Sequence, residues 1–133
     1  MNHIKEMAVL VIIFTGFSFI QDEELSKSMT RGKDVYNDFC TVCHKTNGEG
    51  TEKVFPPLAQ SDFLKKYRVE SIRSVKFGQK GKIKVNGVDY NGTMPVPGLT
   101  DEEIVDVMNY IMNSWGNKSD KIVTISEVKS LIK

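Results

Sequence analysis

The 133 residues contain only two cysteines, two histidines and one tryptophan. The cysteines are Cys40 and Cys43 and the histidines are His3 and His44, so soft metal ligands are scarce outside one short stretch. That scarcity excludes a structural zinc module, which needs four ligands and usually takes them as two pairs. A bridge between Cys40 and Cys43 would close a tiny loop and add little stability. Charge of one sign is also lacking. The net charge is +1 and no long low-complexity tract occurs, so nothing global points to nucleic acid or to disorder. The length leaves room for one small domain and a targeting segment. A domain of roughly 100 residues buries a limited core, to which a large apolar cofactor would add substantially.

Long apolar runs are missing too, except at the N-terminus. There MNHIKEMAVLVIIFTGFSFIQDEEL has Lys5 followed by an apolar core from Ala8 to Ile20. As a helix this core would rise only about 20 Å, which is short for a bilayer and suits a secretory signal. Gly16 and Ser18 are small residues spaced for cleavage after Ser18, and no cysteine is present to carry a lipid. Residues 1–18 are therefore read as an export signal, with an uncleaved anchor as the alternative, and 19–27 as a linker. The main domain is expected over 28–117, followed by an extension with a short helix over 118–133.

From Ser28 to His44, the positions Met29, Gly32, Val35, Tyr36, Phe39, Cys40 and Cys43 recur at three- and four-residue steps, the stripe of a helix. KTNGEGTEKVFPPLAQ reads as loop. Ser61 is placed to cap a short helix, and a second helix is expected from about Val69 to Phe77, ending at Gly78. In GKIKVNGVDYNG the period changes. Asn86-Gly87 tolerates positive φ at both positions and so predicts a tight hairpin, with Val85 opposite Val88, Lys84 opposite Asp89 and Ile83 opposite Tyr90. Thr100 and Glu103 form a capping box ahead of a helix striped by Ile104, Val107, Met108, Ile111 and Trp115, stopped by Gly116-Asn117. Thr124 and Glu127 repeat the box before Ile125, Val128, Leu131 and Ile132, which should dock a final helix.

FCTVCH, at the end of the first helix, carries the chemistry. A thioredoxin-type disulfide would want a hydrophobic strand before the motif, and none precedes it. Attachment of a haem fits each residue. Two thiols one helical turn apart reach one porphyrin edge, and the adjacent His44 reaches the iron from one face. A second axial ligand is then wanted. Met108 sits on an apolar stripe, where core packing explains it. Met94 stands in NGTMPVPG, a loop stiffened by two prolines and fifty residues beyond His44. Alone it would be read as a filler of a core gap; with a haem upstream, its thioether suits the vacant face.

RGKDVYNDFCTVCH, VFPPLAQSDF, FGQKGKIKVNGVDYNGTMPVPGLTDEEI and VMNYIMNSWGN occur in that order. With these four motifs the chain resembles a monohaem class I cytochrome c over roughly residues 28–117. It is most similar to bacterial domains that occur free or appended to respiratory enzymes such as copper nitrite reductases. The resemblance implies an all-α fold around one covalent haem c, with a small β-hairpin insertion before the methionine loop. It implies His44 and Met94 as axial ligands and Cys40 and Cys43 as attachment points. The Pro56 carbonyl would accept a hydrogen bond from His44 Nδ1, and Leu58 would pack on the porphyrin. Gly32 and Tyr36 would cross the last main helix near Tyr110.

An iron with both axial positions filled has no vacancy for substrate, so one-electron transfer is expected rather than catalysis. The expected partners are a redox donor and a redox acceptor that dock briefly, in the periplasm, with membrane contact only if the N-terminal segment is retained. Eight basic residues against one acid between Phe63 and Lys84 suit steering of an acidic partner, and equally suit an ordinary solvated face. Two further readings stand beside the carrier. One is a haem enzyme or gas sensor with an open or displaceable sixth site, the other a fixed subunit of an oxidase or reductase.

Overall fold

The computed structural model describes the backbone of residues 2–133 and the side chains from Gln21 onward. The export segment expected over 1–18 lies outside the residues with described side chains. Helix α1 runs Asn2–Phe39 and α2 Thr41–His44; α3 is Asp62–Lys66 and α4 Arg68–Phe77. Strands β1 (Gln79–Val85) and β2 (Val88–Met94) follow, then α5 (Asp101–Ile111) and α6 (Ile125–Ser130). Among the described residues no helix is long and apolar enough to cross a membrane.

Helices α1 and α5 cross at the centre, and Gly32 sets how closely. A β-carbon built there would lie 1.9 Å from the Asp106 carbonyl oxygen and 2.9 Å from the Tyr110 β-carbon. Only a hydrogen fits, so the two backbones meet. The aromatics fill the space beside the crossing: the Tyr36 and Tyr110 rings are 5.6 Å apart, and Trp115 lies 4.8 Å from Tyr36 and 5.2 Å from Tyr110. These separations fall in the range of favourable tilted and edge-on pairs. Tyr36, Ile104, Val107, Met108 and Ile111 form the buried core with Ile72 of α4 and with Val123 and Val128 of the extension.

A polar network crosses the same interface. Ser28 Oγ donates to Asp106 Oδ1 at 2.6 Å, Arg31 pairs with both Asp106 oxygens, and Asn109 bonds Ser28 Oγ. Asn109 also takes the Val123 N–H at 2.7 Å and donates to the Val123 carbonyl, which fastens the extension to α5. The buried polar groups of this seam are thus partnered, as burial requires.

The hairpin has the expected register, Val85 against Val88, Lys84 against Asp89 and Ile83 against Tyr90. The pairing continues outward to Gln79 against Met94. Met94 is therefore the last residue of β2, where the sequence reading put it in a proline-stiffened loop. The prolines follow it instead. Four other expectations change. Residues 21–27, read as linker, are helical and continuous with the rest of α1. The first helix breaks at Cys40, between α1 and α2. Helix α5 ends at Ile111, and Trp115 adopts φ 53° beyond it, so its ring reaches the aromatic cluster from a turn.

The last change concerns the second capping box. Thr124 Oγ1 accepts the Glu127 N–H, but the Glu127 carboxylate turns to Arg68 at 2.7 and 2.9 Å. A guanidinium offering a two-pronged ion pair outcompetes a single backbone N–H. Arg68 also reaches Ser119 Oγ and the carbonyls of Lys121 and Ile122, so one side chain holds the extension against α4. Val128 is buried there, whereas Ile132 is 76% exposed and does not dock.

Candidate haem site

Cys40 occupies the turn between α1 and α2, its N–H bonded to the Tyr36 carbonyl at 2.9 Å. The His44 N–H returns to the Cys40 carbonyl at 2.9 Å, so Cys40, Cys43 and His44 share one helical turn. Both thiols are free and half-buried. Burial, with Cys43 nearby, pushes the Cys40 thiol up to about 11. A redox-active C-x-x-C pair needs the opposite, a thiol shifted down toward the thiolate.

His44 is 8% exposed. Its Nδ1 lies 3.0 Å from the Pro56 carbonyl oxygen, the partner that the resemblance implies rather than Pro57. Nδ1 carries the proton in that bond, which leaves Nε2 as a bare lone pair. Burial lowers the ring's affinity for a second proton, and the Pro56 bond opposes this in part. The neutral tautomer is the one that ligates a metal.

The Pro56 carbonyl is brought in by the turn from Thr51 to Phe55, whose ends exchange backbone bonds of 2.8 Å. Gly50 permits it. At φ 63°, a β-carbon there would lie 2.4 Å from the Phe55 oxygen and 2.8 Å from the Pro56 oxygen. Downstream, the Leu58 and Ala59 N–H groups bond the Gly48 carbonyl, and Asn117 donates from Nδ2 to the Leu58 carbonyl at 2.7 Å.

The C-x-x-C-H turn and the proline loop line one cavity of about 370 Å³. Cys40, Cys43, His44, Pro56 and Leu58 bound it on one side. Ile83, Val85, Tyr90 and Met94 of the hairpin bound it on another, with Val107, Met108 and Ile111 of α5 behind. The six site residues expected from sequence are thus gathered around one space. Apart from the cysteines and His44, Lys53 is the one ionisable group with a side-chain charge among the lining residues described. Two thiols on one helical turn, a neutral imidazole, a thioether and apolar walls form a donor set and a shape that suit a large flat macrocycle carrying a metal.

Two residues escaped the sequence reading. Gly50 looked like one of several loop glycines, and only its approach to the Pro56 oxygen distinguishes it. Asn117 was read as a helix stop, although its carboxamide makes three hydrogen bonds between loop and helix. An asparagine in a turn has many local uses, so no pattern signalled these remote partners.

The comparisons agree with this geometry. A family model described as Cytochrome c matches residues 29–115. Cytochrome c-552 of Thermus thermophilus is 38% identical over 126 residues, covering 88% of this chain and 84% of the relative. The gluconate 2-dehydrogenase cytochrome c subunit of Pantoea cypripedii is 33% identical over 124 residues, or 86% of this chain and 28% of that longer one. The cytochrome c subunit of a quinone alcohol dehydrogenase from Gluconacetobacter polyoxogenes is 31% identical over 75% of this chain and 22% of the relative. With the C-x-x-C-H turn facing an apolar cavity, these matches establish that the chain belongs to the cytochrome c family, as a monohaem class I member with covalently bound haem c and a role in electron transfer.

Proposed function

We propose that this protein is an exported one-electron carrier with His/Met ligation. Cys40 and Cys43 would hold the haem through their sulfurs, and His44 Nε2 and Met94 Sδ would be the two protein ligands to its iron. The observation that carries this reading is the cavity itself, with a pre-oriented imidazole on one wall and the end of a strand presenting Met94 on another. When bound, the haem supplies a ferric/ferrous couple, and a thioether ligand raises its potential relative to a second histidine. The chain's part is to orient the two ligands and exclude water. It also limits reorganisation by surrounding the site with apolar side chains such as Ile83, Val107 and Ile111. With both ligands in place no position on the metal would be open to substrate, and the chain would carry electrons rather than catalyse.

Donor and acceptor are redox proteins that dock transiently. Val42, between the two cysteines, is 89% exposed, and Val54 at the cavity is 55% exposed, which suits a small contact near the attachment edge. The basic run contributes less to steering than its composition implied. Arg68 is engaged with Glu127, Arg73 with the Ile132 carbonyl, and Lys76 with Asp101 at 3.0 Å. Lys80, Lys82 and Lys84 remain on the outer hairpin face, where Asp89 lies 3.4 Å from Lys82 and 3.7 Å from Lys84.

Met94→Ala tests the ligation. The variant should retain covalent haem, bind carbon monoxide in the ferrous state and show a lowered midpoint potential. Wild type that binds carbon monoxide as readily as the variant would show an open site and favour the enzyme or sensor reading. A second reading, a fixed subunit of a larger complex, is favoured by the dehydrogenase relatives, whose much longer chains contain a matching part. Sedimentation of the native protein with a membrane fraction, against free migration as a small protein, separates the two.

A further inference from the structure

The loop that orients His44 has a weakness written into its sequence. Pro56 and Pro57 are consecutive and have no N–H, so neither can anchor the segment by donating a hydrogen bond. Residues 56–60 also lack regular secondary structure. The carbonyl facing His44 is therefore held by what grips its neighbours. Upstream is the Thr51–Phe55 pairing; downstream, the Leu58 and Ala59 N–H groups bond Gly48. Both anchors belong to the same loop as Pro56.

Asn117 is different. Its Nδ2 donates to the Leu58 carbonyl at 2.7 Å and to the Ile111 carbonyl at 2.9 Å, and its Oδ1 accepts from the Ser61 N–H at 3.2 Å. Its own N–H bonds the Ser114 carbonyl at 2.9 Å. Among the described residues, these are the hydrogen bonds that connect residues 56–61 to the end of α5. Because α5 is packed on α1 at Gly32, the carboxamide joins a loop to the closely crossed pair of helices at the centre of the fold. Two donors and one acceptor are all in use, so aspartate would face two carbonyls with negative oxygen and leucine would strand three polar groups.

We propose that Asn117 is a positioning residue for the His44 ligand, acting through the Leu58–Pro56 segment on the hydrogen bond at His44 Nδ1. The proposal rests on the reading of His44 as the axial ligand. A well-aimed Pro56 carbonyl makes the imidazole more basic and favours ferric iron. Releasing the loop weakens that bond, so the ferric state loses stabilisation and the midpoint potential rises.

The test compares Asn117→Ala with Val128→Ala in mature, haem-loaded protein. Val128 is fully buried in the extension and is not among the residues lining the cavity, so its truncation reports a loss of stability alone. Three quantities are measured: the midpoint potential, the His44 Nδ1–H resonance in the ferric state, and its exchange with solvent. Asn117→Ala is expected to raise the potential, move the resonance and speed its exchange about tenfold, the effect of losing roughly one net hydrogen bond. Val128→Ala should lower the melting temperature and leave all three unchanged. Should Asn117→Ala fail to mature, Asn117→Gln, which displaces the same groups by one methylene, should produce the same changes in smaller measure. Asn117 variants that melt earlier but keep the wild-type potential and exchange overturn the proposal. Wild type without a paramagnetically shifted His44 ring proton overturns the ligand reading beneath it as well.

Discussion

At the scale of single residues, the decisive side chains are those whose partners are remote. Gly32 is the plainest case, since any β-carbon there meets a backbone carbonyl of α5 that has no way to move without the helix. Gly32→Ala should cost on the order of 3 kcal/mol, read as a lower denaturant midpoint with the optical spectrum of the haem preserved. The crossing at Gly32 and Tyr36 was expected from the resemblance to class I cytochromes c, since the helical stripe alone placed both residues on one face without naming what they meet. His44, Cys40 and Cys43 were legible for a different reason: covalent attachment demands a fixed short spacing. Trp115 was misread, since it satisfies the three- and four-residue stripe of α5 while its backbone has left the helix. Tilted and edge-on contact with Tyr36 and Tyr110 decides its place, and such contact has no sequence period.

Among the elements, the extension behaves as a separate latch. Helix α6 has only six residues, too few to persist alone, and is held by Val128 and by the Arg68–Glu127 pair. Arg68 holds the Glu127 carboxyl below its ordinary value of 4.5. A carboxyl depressed in the folded chain contributes its full stabilisation above that ordinary value and loses it as pH falls through the lower folded one. Below pH 4.5, then, the extension should loosen, seen as a fall in amide protection at Val123 and Val128 relative to the intrinsic exchange rate at each pH. In Glu127→Gln that acid step should disappear, with faster exchange already present at neutral pH. Protection that is flat with pH in wild type would show that the ion pair does not hold the tail. The capped starts and the hairpin register were readable because capping residues and a two-residue turn act over three or four positions. The link from Arg68 to Glu127 spans 59 residues and was not.

On the scale of the whole molecule, the cavity lies where a protein of this size would otherwise place its core. Residues from α2, α4, α5, the hairpin and the proline loop all face it. The haem is accordingly expected to act as core as well as cofactor. Replacing Cys40 and Cys43 together by alanine should yield a chain without covalent haem mass. Its unfolding should be broad rather than cooperative, measured by calorimetry and near-ultraviolet dichroism. A sharp unfolding transition in that variant would show that the protein core suffices without its occupant.

The position of Met94 at the end of β2 also limits how chains of this design can change length. Alternate residues of a strand face opposite sides, so losing one residue between Tyr90 and Met94 would aim the sulfur at solvent. Residues added at the Asn86–Gly87 tip leave that parity untouched. Insertions and deletions among descendants should therefore collect at the tip and avoid the segment leading into the sulfur.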